Sequence, residues 1–293
     1  KAKADKIWIY APPDQTSISI IDNGYGMSKK ILTEAMSVFN VDPRILRSDE
    51  DLGRFGMGLK TASLSKCNKF TVASKNIDGE TSALTFDVQY IEKNELDDLV
   101  AINRRPEEIK DFDLIGKQGT LVLWENLNIA SGNEKTEINY ESYNDELVTA
   151  RNHISLIFHR FLEGETLFNS SKLEIYWNND LIEPFNPFNP TNLATQKVGP
   201  NTYEIKNSNN TNSIMTLEAF TLPEQSKVSS DIWKYYSGPQ HSLDIEGYLD
   251  NQGFYVYRLK RLIAYGSKIK NWLGLLAPRP ISQLARVKVD IDN

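Results

Sequence analysis

The chain has 293 residues, 40% apolar and 25% charged, with a net charge of −6. That length suits two domains with a sizeable core, and the composition is globular rather than disordered. The acid excess excludes a wholly basic nucleic-acid coat, the single cysteine (Cys67) excludes an internal disulfide framework, and no apolar run reaches the roughly 20 residues that span a bilayer. The first residues lack the apolar stretch and cleavage site of a signal peptide, so a reducing cytoplasm is the expected location.

Residues 6–10 and 16–21 read as short β-branched or aromatic strands separated by Pro12, Pro13 and Asp14. A helix is expected over 28–39, capped by Ser28 and burying Ile31, Leu32, Ala35, Met36 and Phe39. Residues 40–55 are polar and contain Pro43, which predicts a loop, and 59–66 a short helix. Strands follow at 70–73, 83–88 and 120–124. A long helix is expected over 145–162 with Leu147, Ala150, Ile154, Ile157, Phe158 and Phe161 inward, then a strand at 173–177. The Asn-rich stretch 185–213 reads as a boundary. Further strands are expected at 214–220, 254–257 and 287–291. Strands and helices in no regular alternation predict α+β layers rather than a doubly wound sheet.

Two segments carry chemistry. Asp22-Asn23-Gly24-Tyr25-Gly26-Met27 follows a strand. A carboxylate there can accept from an exocyclic amine, and the glycines let the backbone turn tightly beside a flat ring. Taken alone, the pattern suits an ordinary tight turn equally well. Gly53-Arg54-Phe55-Gly56-Met57-Gly58-Leu59-Lys60 precedes a helix. Free N–H groups and the positive dipole end make such a junction an anion site, the alternative being a flexible loop. It is not a Walker A loop, because Leu59 stands where the lysine would be. His153 and His159 lie about 240° apart on the expected helix and make no metal pair, and no Cys/His cluster has zinc spacing. From Arg258 to Lys288 there are eight Lys or Arg and no Asp or Glu, which is either a solvated face or a phosphate contact.

Together the two segments resemble the GHKL superfamily (gyrase, heat-shock chaperone, histidine kinase, MutL). DNGYGM is similar to its D-x-G-x-G-M motif, GRFGMGLK to its G-x-x-G-x-G-L/M-K motif, and Gly119-Thr120 before LVLW to its Gly-Thr motif. The stretch GFYVYRLKRLIAYG (253–266) resembles the second domain of MORC proteins and of prokaryotic relatives of the ninety-kilodalton heat-shock chaperones. The resemblance implies a two-layer α/β sandwich of the Bergerat type over 1–185, a linker over 186–213, and an incomplete α+β transducer domain of ribosomal-S5-like type over 214–293.

The resemblance also implies ATP and Mg2+ as cofactors. Asp22 would bind adenine, Gly24, Gly26 and Met27 would shape the base pocket, and Thr120 would support it. Gly53, Gly56, Gly58, Leu59 and Lys60 would hold the phosphates, with 40–52 as the lid. The family's general-base Glu and magnesium-binding Asn match no residue here and are expected upstream of residue 1. A transducer cation would sense the γ-phosphate, with Lys260, Arg261 and Lys288 open as candidates. The implied protein is a cytoplasmic, ATP-hydrolysing, chaperone-like clamp that homodimerises and acts on a DNA or protein client without a membrane. A nucleotide-gated interaction module with little turnover is the alternative.

Overall fold

The computed structural model describes residues 2–13, 17–37, 58–94, 101–128, 140–166, 171–206, 212–230, 251–266 and 282–291. The chain divides into two units, 1–147 with 170–182, and 148–169 with 183–293. The fold is mixed α+β, as expected.

In the first unit the strands are β1 (Lys6–Tyr10), β2 (Ile18–Asp22), β3 (Cys67–Lys75), β4 (Thr81–Asp87), β5 (Ile102–Arg104), β6 (Gly119–Leu127), β7 (Glu174–Trp177) and β8 (Asp180–Leu181). They form one sheet in the order β5-β4-β3-β6-β2-β1-β7-β8. Every neighbouring pair is antiparallel except β1 and β7. The helices are α1 (Lys29–Met36), α2 (Gly58–Lys66), α3 (Val88–Lys93) and the start of α4 (Tyr140–Ile157). Leu32 and Met36 of α1 pack on Cys67, Phe70, Val72, Leu84 and Phe86, with Met27, Leu59 and Val122 beside them. The opposite face buries Ile21, Ala73, Leu121 and Leu123 against Ile109, Phe112 and Ile115 of the β5–β6 connection. Both faces are therefore covered, which is why β3 and β4 read as nearly continuous buried runs. Burial pushes the Cys67 thiol up to about 11, so this cysteine is a packing residue.

Ser28 caps α1 as expected, its hydroxyl accepting from Ile31 N at 3.4 Å. Ile31, expected inward, is exposed, and the buried stripe narrows to Leu32 and Met36. Phe39 lies outside the described residues. Val88, expected to end a strand, instead opens α3, because the Asp87 side chain accepts from Tyr90 N and starts a helix there.

The second unit carries the end of α4, α5 (His159–Leu162), β9 (Gln196–Lys206), β10 (Asn212–Thr221), β11 (Gly253–Arg258), β12 (Arg261–Tyr265) and β13 (Ala285–Ile291). Its sheet has the order β12-β11-β13-β10-β9, with β11 and β13 parallel. Leu156, Ile157, Phe185, Phe188, Phe220, Tyr255, Tyr257 and Leu262 form its core.

Two expectations are corrected here. The single helix over 145–162 is two helices broken at Phe158, and its inward residues are Leu147 and then Ser155, Leu156, Ile157, His159, Arg160 and Leu162. One uninterrupted stripe fails because α4 passes from the first unit to the second after residue 147. The stretch expected to be a linker, 186–213, contains the buried Phe188 and the strand β9. Its asparagines make turns: Asn186 Oδ1 accepts from Phe188 N at 3.0 Å, and Asn192 Oδ1 from Ala194 N at 2.9 Å.

Candidate functional site

Antiparallel pairing sets Asp22 of β2 opposite Thr120 of β6, and Thr120 opposite Ser74 of β3. Direct cross-strand partners share a face, so Asp22, Thr120 and Ser74 form one polar row across three strands. Val72 and Val122 lie on the helix-covered side, and Ser74 and Thr120, each two residues away on its strand, share it. Ser74 Oγ lies 3.1 Å from Thr120 Oγ1, 3.0 Å from Gly119 O and 2.8 Å from Met27 N. Thus Met27, 47 positions before Ser74, is held directly against the row.

The turn after β2 is fixed by close backbone packing. Asp22 Oδ1 accepts from Gly24 N at 2.8 Å. Burial pushes the Asp22 carboxyl up from its ordinary value, opposed by hydrogen bonds from the backbones of Gly24 and Thr120. Gly26 has φ +65°, and a Cβ on it would collide with the Lys75 carbonyl. Gly119 has φ +145°, and a Cβ there would collide with the Asp22 carbonyl. At Gly24 a Cβ would stand 2.6 Å from Ala2 O and 2.9 Å from Asp22 Oδ1. The Cβ directions of Gly24 and Gly26 are therefore occupied by the protein's own atoms, so the turn admits only glycine at both positions. Asn23 faces the other way, accepting from Asp5 N and Lys6 N at 3.1 and 3.0 Å. Tyr25 is exposed.

The second expected segment opens α2. Gly53, Gly56 and the expected lid 40–52 lie outside the described residues. Gly58 is the first residue of α2, with open space where a Cβ would stand. Leu59 packs on the core beneath α1. Lys60 is buried, and its ammonium donates to Ala35 O and Ser37 O, each at 2.9 Å. A cation at the C-terminal carbonyls of α1 satisfies acceptors that the helix leaves open. Burial holds the Lys60 pKa below the ordinary lysine value. In the structure, then, Lys60 ties the start of α2 to the end of α1. Met27 of the base-side turn and Leu59 of α2 pack on the same hydrophobic cluster.

Sequence reasoning missed Ser74, which lies one residue past the expected strand 70–73. Its signal was a small hydroxyl residue closing an otherwise apolar run.

Two lysines of the basic run, Lys260 and Lys288, are paired with acids of the second unit. Lys288 Nζ lies 3.3 Å from Glu218 and 3.6 Å from Asp290. Lys260 Nζ lies 3.6 Å from Glu165 and donates to Thr166 O at 2.9 Å. Arg286 is wholly buried and donates to Gln283 O and Ala285 O. Arg261 stands 5.6 Å over the Phe158 ring. Lys268, Lys270 and Arg279 lie outside the described residues. His159 is buried, 2.8 Å from Tyr257 Oη, and among the described residues no group of three or more His, Cys, Asp or Glu is placed to hold a metal.

A large mixed sheet thus carries an acidic glycine turn packed against a row of hydroxyl residues. Residues 1–141 match the family described as histidine kinase-, DNA gyrase B-, and HSP90-like ATPase. The match supports the GHKL superfamily, and with it an ATP-binding domain, for that part of the chain. No curated protein matches the chain. No helix among the described residues is long and apolar enough to cross a membrane.

Proposed function

We propose that the chain binds ATP at the Asp22–Thr120–Ser74 row and works as an ATP-hydrolysing conformational clamp of the MORC or chaperone-like kind, closing as a homodimer on a DNA or protein client. The observation that carries this reading is the row itself. Met27 and Thr120, which the sequence nominates from two distant motifs, meet through Ser74, and Asp22, opposite Thr120 and bonded to Gly24 N, continues the row.

In this reading Asp22 accepts from the exocyclic amine of adenine, and Gly24, Gly26 and Met27 form the wall beside it. Thr120 contributes its hydroxyl. Gly53, Gly56, Gly58 and Leu59 offer backbone N–H groups to the phosphates at the positive end of α2. Lys60 acts on the phosphates by holding α2 in position. Mg2+ would travel with the triphosphate and offset its charge. Nucleotide drives such a clamp only through differential affinity for its two states.

Isothermal titration with ATP tests the assignment. The wild-type chain should bind, and Asp22→Asn should weaken binding about 10- to 100-fold, the worth of a charge-assisted hydrogen bond of roughly 1.5–3 kcal/mol. An unchanged affinity in that variant removes Asp22 from the site. Steady-state phosphate release separates a hydrolase from a nucleotide-gated interaction module.

A further inference from the structure

Ser74 Oγ is within hydrogen-bond distance of three groups: Met27 N at 2.8 Å, Gly119 O at 3.0 Å and Thr120 Oγ1 at 3.1 Å. A hydroxyl has one proton and two lone pairs. The Met27 N–H can only donate, so it occupies one lone pair of Ser74. The Gly119 carbonyl can only accept, so it takes the Ser74 proton. The contact with Thr120 then falls to the remaining lone pair, and Thr120 must be the donor. One arrangement satisfies all three contacts: Thr120 Oγ1–H donates to Ser74 Oγ, and Ser74 Oγ–H donates to Gly119 O. Ser74 is wholly buried and Thr120 nearly so, which makes an unsatisfied contact costly here.

From this proton count we infer that Ser74 is a specificity-determining, positioning residue, which turns Thr120 into an acceptor and so selects 6-amino over 6-oxo purines. The inference rests on the proposed ATP site and goes one residue deeper into it. With its proton spent on Ser74, Thr120 offers only lone pairs to a ligand or to a water beside it. Its cross-strand neighbour Asp22, when ionised, also offers only lone pairs. The row therefore presents acceptors throughout. An amino group at position 6 of a purine supplies the matching donors, whereas a 6-oxo group meets lone pair against lone pair. Asp22 repels the oxo group by charge, and Thr120 is prevented from rotating to rescue it because its proton is held. Removing the Ser74 hydroxyl releases that proton and lets Thr120 donate to a carbonyl.

Affinities of the full chain for ATP and for inosine triphosphate, its 6-oxo counterpart, test this. Wild type should prefer ATP. Ser74→Ala should narrow the ATP-to-ITP ratio by about tenfold, the worth of roughly one hydrogen bond. Thr120→Val should narrow it as well, and adding Ser74→Ala to Thr120→Val should narrow it no further, because Ser74 acts through Thr120. If Ser74→Ala does not fold, Ser74→Cys, whose sulfur is a weaker acceptor for the Thr120 proton in a similar volume, must narrow the ratio in the same direction. A ratio unmoved by the Ser74 variants, or moved equally in the Thr120→Val background, overturns the assignment while leaving the ATP site standing. No ATP binding by the wild type overturns the parent reading, and this assignment falls with it.

Discussion

At the scale of single residues, the site shows how differently side chains announce themselves. Asp22, Gly24, Gly26 and Thr120 could be nominated from the sequence because their motifs occur together and in order, although the Asp22 turn alone reads as ordinary turn chemistry. Ser74 could not, because its meaning comes from partners 45 to 47 positions away. Lys60 was visible as a motif residue, but its role was not. The sequence placed its ammonium with phosphate, and the fold spends it on Ala35 O and Ser37 O. Lys60→Met keeps the buried length and removes the charge, leaving two helix carbonyls short of a donor. It should lower stability in urea by about 1–3 kcal/mol. An unchanged midpoint would show that α1 closes without it.

At the scale of elements, α5 gathers the polar interior of the second unit. His159 meets Tyr257 Oη at 2.8 Å and Glu163 at 3.3 Å. Its neighbour Arg160 pairs with Glu165 at 2.7 Å, bonds Asp290, and stands 5.0 Å over the Tyr257 ring. Burial holds the His159 pKa below the ordinary 6.5, with Glu163 and Glu165 raising it and Arg160 lowering it further. The unfolded chain therefore binds this proton more readily than the folded one. Stability from the neutral imidazole is complete above pH 6.5 and declines as pH falls from there toward the depressed folded value. The slope of that limb approaches at most about 1.4 kcal/mol per pH unit. Urea melts at several pH values should show the limb in the wild type and a flatter one in His159→Gln. A limb of equal slope in both would assign the acid sensitivity to the carboxylates instead. The helix break that makes α5 was not legible, because Phe158 continues the apolar pattern through it. Nor was β9, since asparagines that build turns have the same composition as asparagines in a tether.

At the scale of the whole molecule, the fold class was legible in the sequence and the division of the chain was not. Mixed strand and helix order announced α+β layers, but the expected single boundary near 185–213 gives way to crossings at 147, 169 and 182. Local composition marks tethers, whereas membership of a core depends on which distant strand is paired. Here β7, far along the chain, lies parallel to β1, and Trp8 stacks on Tyr176 with ring centroids 5.9 Å apart. A fragment ending at residue 141, where the family match stops, would leave β1 as a raw sheet edge without that cover. It should aggregate on size-exclusion chromatography, and a monodisperse, cooperatively melting fragment would contradict the register of β7.

The three crossings also carry a consequence for how such a molecule is dissected. Its halves alternate along the chain rather than following one another. No single scission of the polypeptide frees either one intact. Excising the first half takes cuts at 147, 169 and 182 and a graft between residues 147 and 170, so the natural modules of this chain are spatial objects and not stretches of gene.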